Sequence, residues 1–527
     1  MSKVFSFLDN FVESQFKEAS FKSYLFIFGI IIFFFYLHFF NLVPFLALTP
    51  DPVIMLNFLD SGQRVDFSDG AIHQHLRWGS YSILYFLSLL TGGFSLELIT
   101  ITSGVSFFIA ISILSLVCLR EIGLFPALCF LLFVFTSKAL NLEIFSWSVV
   151  NQALIPLSLL VLLICELTKN PNLKLGPIYM ALLCFWLYGV KETNLFFFPL
   201  LLFLNFFFSN KSFYLKAILT FVSLLILETF LIYIFSENNY PFGRIIGLLS
   251  SPSPSGHLQG MKAGYWIPEE AKSIGSIENT FLIFYRWYSA RGWDTTIIYF
   301  SSILSILFLF GRNEKLLPKI ISSLILSFFF FTTFFIVSIF PPVLGQPLHT
   351  RFLTILLPLS YLIICFGIKE LILNAKNKFM AISFFSLILF TFMSKPVYQL
   401  IFVDGDWGYL SLKSHYGFSV RDRREQLEEF YEILKKVDCV QLVSENHELH
   451  EYNKTPKHGW NVQLLLHGEH IFLGSEKNDF VSKPELEDFY DQSGSSWLRK
   501  DDLFVRKGSN SCNNIILLRD NGFSLSE

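Results

Sequence analysis

The residues best suited to chemistry lie between positions 49 and 79, directly after the first long apolar run of the chain. This segment, TPDPVIMLNFLDSGQRVDFSDGAIHQHLRWG, holds four aspartates, two histidines and two arginines. A carboxylate that is partly dehydrated at a lipid–water boundary acquires a raised pKa, which lets it accept a proton near neutral pH. Because perturbed titratable groups concentrate at functional sites, the segment predicts an active-site loop at a membrane surface.

Asp51 is the strongest candidate for a catalytic residue in this loop. It lies between Pro50 and Pro52, which restrict the backbone and hold it extended. A carboxylate fixed there could act as a general base towards an acceptor hydroxyl, although an acid at a helix boundary can also simply face water. The remaining acids of the loop are typical of helix caps and turns: Asp60, Asp66 and Asp69.

Charged residues beside other apolar runs could bind an anion. Lys191 and Glu192 lie within WLYGVKETNLFFFPLL, where a charge is costly unless it is paired or lines a polar cavity. The two residues therefore either pair with each other, or Lys191 faces a phosphate. Arg351 opens a later run two residues after His349, and it suits phosphate recognition or interface anchoring equally. Glu143 lies in a short polar break and is a candidate for a second carboxylate.

Three further arginines are flanked by aromatic residues. Arg77 follows His75 and opens HLRWGSYSILYFLSLLTGG, where anchoring at the lipid headgroups is the default interpretation. Arg286 and Arg291 lie among tyrosines and tryptophans in the segment 237–293, a density typical of an interfacial aromatic belt. These two arginines either snorkel to the interface or belong to a lid that reaches an anionic substrate.

Composition places the chain among polytopic membrane proteins. Of its 527 residues, 53% are hydrophobic and 16% are charged, whereas a soluble protein carries about 25% charged residues. Its net charge of −2 and its lack of a dense Lys/Arg cluster exclude the usual basic surface for nucleic acid. Eleven apolar runs are long enough to span a bilayer: 24–46, 95–118, 123–140, 147–166, 176–190, 193–209, 217–236, 294–311, 320–340, 351–368 and 379–395.

The distribution of lysine and arginine predicts the orientation of these spans. The positive-inside rule assigns five polar breaks, together with the N-terminus, to the cytoplasm: 120–123, 166–176, 209–216, 311–319 and 369–378. The opposite side then holds the loop at 49–79, an interfacial helix at 80–93, the long loop at 237–293 and residues 396–527. Asp51 and all of the candidate cations are therefore expected on the extracytoplasmic side.

Residues 396–527 have the composition of a small soluble domain. A helix is predicted where VRDRREQLEEFYEILKKVD places apolar residues on one face, and short strands are predicted at CVQLVS, HIFLG, DLFVRK and NIILLRD. The segment therefore predicts an extracytoplasmic α/β domain of about 130 residues. Cys439 and Cys512 lie in it and either form a disulfide or remain free thiols.

The order of these features resembles the polytopic GT-C glycosyltransferases, which use polyprenyl-phosphate sugars and include protein mannosyltransferases and the aminoarabinose transferases of lipid A. The shared features are an outer loop that opens with an acid (TPDP, Asp51), an R-W-G-x-Y segment that closes on Gly-Gly (77–93), K-E-T at 191–193 and R-F-L-x-x-L-L-P at 351–358. The chain departs from the family pattern after Asp51, where Pro-Val stands and many relatives carry Asp-Glu or Asp-x-Asp.

The resemblance implies an inverting transfer of a sugar from polyprenyl phosphate to an extracytoplasmic glycan, lipid or protein acceptor, in the cell envelope and by expectation in a bacterial inner membrane. Asp51 would act as the general base, with Glu143 as the second carboxylate. The cations that would bind the substrate phosphate are Lys191, Arg351, Arg286 and Arg291, and the further site candidates are Arg77, His75, Glu192 and His349. No cofactor is implied. Because no second acid adjoins Asp51, dependence on a divalent metal stays open and a single-carboxylate mechanism is favoured.

Two other classes of protein fit parts of the pattern. An O-antigen-type polysaccharide polymerase or ligase also has many spans and a large outer loop, and it would depend on Arg286 and Arg291 more than on Asp51. A transporter or a non-enzymatic assembly scaffold is the other alternative. Transporters need polar or acidic residues in mid-span, which these apolar runs nearly lack.

Overall fold

The computed structural model describes residues 9–10, 12–16, 20–36, 77–92, 96–144, 147–171, 173–191, 194, 197, 211–235, 293–311, 315–335, 353–402, 437, 439–442, 497–500, 503–506, 515–519 and 522–525. In this part of the chain there are twelve α-helices: α1 (Phe21–Tyr36), α2 (Trp78–Thr91), α3 (Leu96–Glu121), α4 (Leu124–Thr136), α5 (Lys138–Glu143), α6 (Val149–Lys169), α7 (Gly176–Val190), α8 (Lys211–Phe235), α9 (Trp293–Phe310), α10 (Leu316–Phe335), α11 (Leu357–Leu373) and α12 (Lys378–Phe402). A 3-10 turn, Thr354–Leu356, precedes α11.

Several of these helices suit a membrane. Four stretches are long and apolar enough to cross one: Ile101–Glu121, Val149–Lys169, Ser212–Ile234 and Thr354–Leu373. Shorter apolar stretches lie in α1, α4, α7, α9, α10 and α12. A described helix overlaps ten of the eleven predicted runs, and most of the remaining run, 193–209, lies outside the described residues. The protein is therefore a helical protein with several helices apt to span a membrane.

The apolar run predicted at 123–140 is interrupted in the structure. Helix α4 ends at Thr136, because Ser137 adopts an extended conformation with φ −72° and ψ 118°. The Ser137 hydroxyl accepts a hydrogen bond from Leu140 N at 3.2 Å and so caps the short helix α5. Hydropathy alone could not locate this break, since a single capping serine barely lowers the mean hydropathy of an apolar segment.

Charged side chains join the C-terminal ends of α3 and α6. The Arg120 guanidinium lies 2.5 Å from Glu166 Oε1, and Lys169 Nζ lies 2.7 Å from Glu121 Oε1. These residues belong to two of the breaks that the sequence assigns to the cytoplasm. We call this end of the helical bundle the charged end.

Helices α10 and α11 meet at the same charged end. Lys315, just before α10, lies 2.7 Å from Glu370 Oε1 in the last turn of α11. Lys369 Nζ donates hydrogen bonds to the carbonyl oxygens of Glu121 (3.2 Å) and Phe16 (3.0 Å). Two more of the predicted cytoplasmic breaks, 311–319 and 369–378, are thereby placed beside the first two.

The N-terminal segment binds across the charged end as well. Lys378 forms an ion pair with Glu13, and Phe379 N donates to Asp9 Oδ1 at 3.0 Å, so that Asp9 caps the start of α12. Val12 and Phe16 are buried. The N-terminus therefore lies at the end of the bundle where the sequence analysis placed it.

The other end of the bundle, which we call the opposite end, follows from these contacts. Helices α4, α7 and α12 begin at the charged end and run towards the opposite end, while α3, α6 and α11 run the other way. Helix α12 is 25 residues long, which is about 37 Å, so the chain enters residues 403–527 from the opposite end. The predicted active-site residues that the structure describes lie at this end too.

The described part of residues 396–527 contains a five-stranded sheet. Its strands are β1 (Cys439–Leu442), β2 (Trp497–Lys500), β3 (Leu503–Arg506), β4 (Ile515–Arg519) and β5 (Gly522–Leu525), in the spatial order β2-β3-β1-β4-β5. Strands β1 and β4 are parallel, with Cys439 opposite Ile515, and the other pairs are antiparallel. Three predicted strands coincide with β1, β3 and β4, whereas β2 and β5 were not predicted and the predicted strand HIFLG lies outside the described residues.

The cysteines fall into two groups. Five are buried free thiols within the helices: Cys118, Cys129, Cys165, Cys184 and Cys365. Cys439, fully buried on the central strand β1, is disulfide-bonded. The seventh cysteine of the sequence, Cys512, lies outside the described residues.

Candidate functional site

The start of α2 packs directly onto the end of α7 at the opposite end of the bundle. Two glycines permit this approach, because a Cβ on Gly79 would lie 2.6 Å from Val190 N and 2.7 Å from Gly189 C. Trp186 Nε1 donates to Gly79 O at 3.2 Å and adds a polar tie between the helices. The junction therefore depends on the absence of a side chain at Gly79.

Trp78, the first residue of α2, fills the space beside Gly189. A Cβ on Gly189 would lie 2.5 Å from two atoms of the indole, and the ring centroids of Trp78 and Phe185 are 5.1 Å apart. The indole nitrogen donates a hydrogen bond of 2.7 Å to Glu228 Oε1 on α8. Three helices, α2, α7 and α8, thus meet around one tryptophan.

Arg77 is the N-cap residue of α2. Its carbonyl accepts hydrogen bonds from Ser80 N (2.9 Å) and Ser80 Oγ (2.7 Å), and the residue is only 5% exposed. A buried arginine must have its charge balanced by protein or ligand. From the sequence, Arg77 is a headgroup anchor by default and a further site candidate, and the structure shows it buried.

Lys191 ends α7 and lies at the same junction. Its backbone is extended, its N donates to Leu187 O at 3.2 Å, and Asn194 Nδ2 donates to the same carbonyl at 2.9 Å. Because Gly79 contacts Val190, the backbones of Arg77 and Lys191 are each within two residues of the contact between the helices. The structure therefore brings the backbones of two predicted cation positions, over a hundred residues apart in sequence, to one junction.

Glu143 lies where α5 leads into α6, also at the opposite end. Ser148 Oγ donates a hydrogen bond to the Glu143 carboxylate and accepts bonds from Val150 N and Asn151 N, which caps α6. Asn151 Nδ2 donates to Glu143 O at 2.6 Å and to Ser103 O on α3 at 3.1 Å. Helix α6 also contacts α2, so this carboxylate is hydrogen-bonded to the cap of a helix that packs against α2.

A buried carboxylate, Asp294, lies in the first turn of α9. Its Oδ1 accepts from Ser137 Oγ (2.8 Å) and Tyr361 OH (3.2 Å), and its Oδ2 accepts from Ala139 N (2.9 Å). The residue is 6% exposed. Both oxygens accept hydrogen bonds, from two donors at the start of α5 and one on α11, and a helix N-terminus favours a negative charge. This aspartate suits a structural anchor rather than a base.

No family model matches the chain, and no curated protein matches it.

The remaining predicted site residues lie outside the described part of the chain: Asp51, His75, Glu192, Arg286, Arg291, His349 and Arg351. Of the predicted set, the structure therefore brings together Arg77 and Lys191 and positions Glu143 at the same end. Among the described residues, no group of three His, Cys, Asp or Glu side chains is arranged to hold a metal ion.

Sequence reasoning missed Glu228 and Asp294. The signal for Glu228 was present, because it is the single acid in the apolar run 217–236, and an acid in mid-span is expensive unless it has a partner. Asp294 carried a weaker signal, since an acid at the first position of a run is also typical of an exposed boundary. In both cases burial distinguishes the residue from a surface acid.

Replacing Gly79 by alanine is expected to lower the free energy of unfolding by about 1–3 kcal/mol. The added methyl group would meet backbone atoms of α7 and not a side-chain end that could rotate away. The thermal midpoint of the purified protein in detergent measures this. Gly29→Ala is the matched control, since a Cβ there meets nothing within 4 Å and alanine favours a helix. Equal midpoints for the two variants would contradict the close packing of α2 on α7.

Proposed function

We propose that the protein is a GT-C-type glycosyltransferase that moves a sugar from polyprenyl phosphate to an acceptor hydroxyl on the extracytoplasmic side. The proposal includes eleven membrane spans and an α/β domain formed by residues 396–527. The observation that carries it is the junction of α2 with α7, which places the backbones of Arg77 and Lys191 within two residues of the contact between the helices, away from the charged end. Two cations at a membrane boundary suit a lipid phosphate, because their bonds to its oxygens are charge-assisted.

In the proposed reaction, Asp51 takes the proton from the acceptor hydroxyl. The acceptor oxygen then attacks the anomeric carbon from the face opposite to the phosphate, so that configuration inverts. The bond between that carbon and the phosphate oxygen breaks, and its electron pair leaves with the polyprenyl phosphate. Lys191, Arg77 and Arg351 stabilise the charge that grows on the phosphate, and removal of one such donor typically costs about 2.7–4 kcal/mol of transition-state stabilisation. The leaving phosphate needs no proton, so one base suffices.

The charged end determines which side of the membrane each end of the helical bundle faces in this proposal. Four predicted cytoplasmic breaks meet there through ion pairs and hydrogen bonds, and Lys/Arg-rich loops remain in the cytoplasm. The opposite end then faces outward and carries the junction and the sheet. The disulfide at Cys439 supports this, because disulfides persist in oxidising compartments and are rare in the cytosol.

Thiol counting tests this orientation. In protein denatured without reductant, a maleimide should label the five free cysteines, and after reduction it should label all seven. With five cysteines free and Cys439 disulfide-bonded, the proposed partner of Cys439 is Cys512, the one cysteine that remains. Cys512→Ser should therefore add one reactive thiol without reductant, because it would release Cys439. Labelling of seven thiols in unreduced wild-type protein purified from membranes would contradict an extracytoplasmic C-terminal domain.

The activity itself is tested by supplying radiolabelled polyprenyl-phosphate sugars to membranes with and without the protein. Transfer of label to an acceptor fraction, dependent on the protein, is the expected result. Parallel assays of Asp51→Asn and Arg286→Ala separate this proposal from a polysaccharide polymerase or ligase, in which the arginine substitution would cause the greater loss. If no label is transferred from any of the polyprenyl-phosphate sugars supplied, the proposal is overturned.

A further inference from the structure

Glu228 is an unusual residue for its position. Helix α8 exposes most of its surface, since only 17% of its membrane window is buried within the protein, and large apolar residues such as Ile226, Leu227 and Phe230 are exposed. Glu228 lies among them in sequence but is itself only 7% exposed. Because a carboxylate facing hydrocarbon is costly, this helix is rotated so that its acid faces the protein.

One residue that Glu228 meets there is Trp78. The indole N–H donates to Glu228 Oε1 at 2.7 Å, a bond that a charged acceptor strengthens. The indole has little freedom to turn away, because its ring lies over Gly189 and beside Phe185 on α7. The carboxylate on α8 therefore fixes the rotation of the first residue of α2.

Arg77 directly precedes this tryptophan, and its carbonyl is already held by Ser80. Trp78 on one side and Ser80 on the other therefore restrain the backbone of Arg77 at the junction. We infer that Glu228 is a positioning residue, which acts through Trp78 to aim Arg77 at the phosphate of a polyprenyl phosphate. This inference rests on the proposed function and names the group that sets the geometry of its phosphate site.

The test measures binding of polyprenyl phosphate without a sugar, in nanodiscs, at a temperature well below the thermal midpoint of every variant. Glu228→Ala and Trp78→Phe should each raise the dissociation constant about tenfold, and the double variant should be no weaker than either single one, because both remove the same bond. Glu228→Gln should stay within about threefold of the wild type, since its amide oxygen can still accept from the indole.

Two controls separate positioning from plain anchoring of α8. Thr229→Ala changes the neighbouring residue, whose hydroxyl bonds to Leu225 O within its own helix, and it should leave the dissociation constant unchanged. Binding of the uncharged polyprenol should be the same in all variants. If the substitutions lower only the thermal midpoint and leave phosphate binding intact, Glu228 is an anchor and the inference is wrong.

The other outcomes are also decisive. Multiplied effects in the double variant, or a Glu228→Gln variant as weak as Glu228→Ala, would show that the carboxylate does not act through the indole. If the wild type binds polyprenyl phosphate and the variants bind it equally well, this inference is wrong but the proposed function stands. Wild-type protein that binds polyprenyl phosphate no better than polyprenol would remove the proposed function and this inference with it.

Discussion

Asp51→Asn is expected to lower the rate of sugar transfer by about 10²–10⁴-fold, the usual contribution of a general base. Asparagine has nearly the same size and keeps an acceptor oxygen, but it cannot take the proton of the acceptor hydroxyl at neutral pH. In the proposed reaction Asp51 acts on the acceptor hydroxyl and not on the donor phosphate, so binding of polyprenyl phosphate should be preserved. The loss should therefore fall on kcat and leave the donor KM nearly unchanged.

The measurement is a steady-state transfer assay with purified protein and a labelled donor. Asp60→Asn is the matched control, since it makes the same change in the same loop at an acid interpreted as a cap or turn residue, and it should retain most of the activity. Transfer by Asp51→Asn at the wild-type rate would remove the single-carboxylate mechanism. An equal loss in both variants would assign the effect to the charge of the loop as a whole.

Asp294→Ala is expected to lower the free energy of unfolding by about 3–5 kcal/mol, because it removes the buried acceptor of three hydrogen bonds. The substitution leaves Ser137 Oγ, Tyr361 OH and Ala139 N without the acceptor that they share. Each buried donor without a partner costs about 1–3 kcal/mol. Asp294→Asn should lose less, because its remaining carbonyl oxygen can still accept from one or two of these donors.

Denaturant or thermal unfolding in detergent measures the loss. Ser302→Ala serves as the control in the same helix, because the Ser302 hydroxyl bonds only within its own helix, to Ile298 O, among the contacts described, and its removal should cost little. A large change in kcat for Asp294→Asn without a change in stability would contradict the anchoring role and make Asp294 a candidate for the chemistry.

The helices were predictable from sequence because hydropathy reports them directly. The run predicted at 176–190 coincides with α7, and the interfacial segment predicted at 80–93 coincides within two residues with α2. Fourteen residues in α2 extend over about 21 Å, too little to cross a bilayer of about 30 Å. The charged end was predictable for a similar reason, because lysine and arginine follow a simple rule of orientation.

The arrangement of the site was harder to predict. That Arg77 and Lys191 share a junction depends on close packing at Gly79 and Gly189, and glycines are common in membrane helices whether or not a helix packs on them. The hydrogen bond between Glu228 and Trp78 depends on how α8 is rotated about its axis. The sequence of α8 has no strong apolar stripe, so it does not indicate which face of the helix packs against the protein. Pairings between distant helices are a property of the packed bundle and not of any one segment.

The most direct measurement is a cryo-EM map of the protein with bound polyprenyl phosphate. The account predicts phosphate density at the junction of α2 and α7, within hydrogen-bond reach of Arg77 and Lys191, with Asp51 facing the adjoining space where a sugar would lie. Phosphate density at the charged end beside Arg120 and Lys169, or an Asp51 carboxylate turned to bulk water far from Lys191, would contradict it.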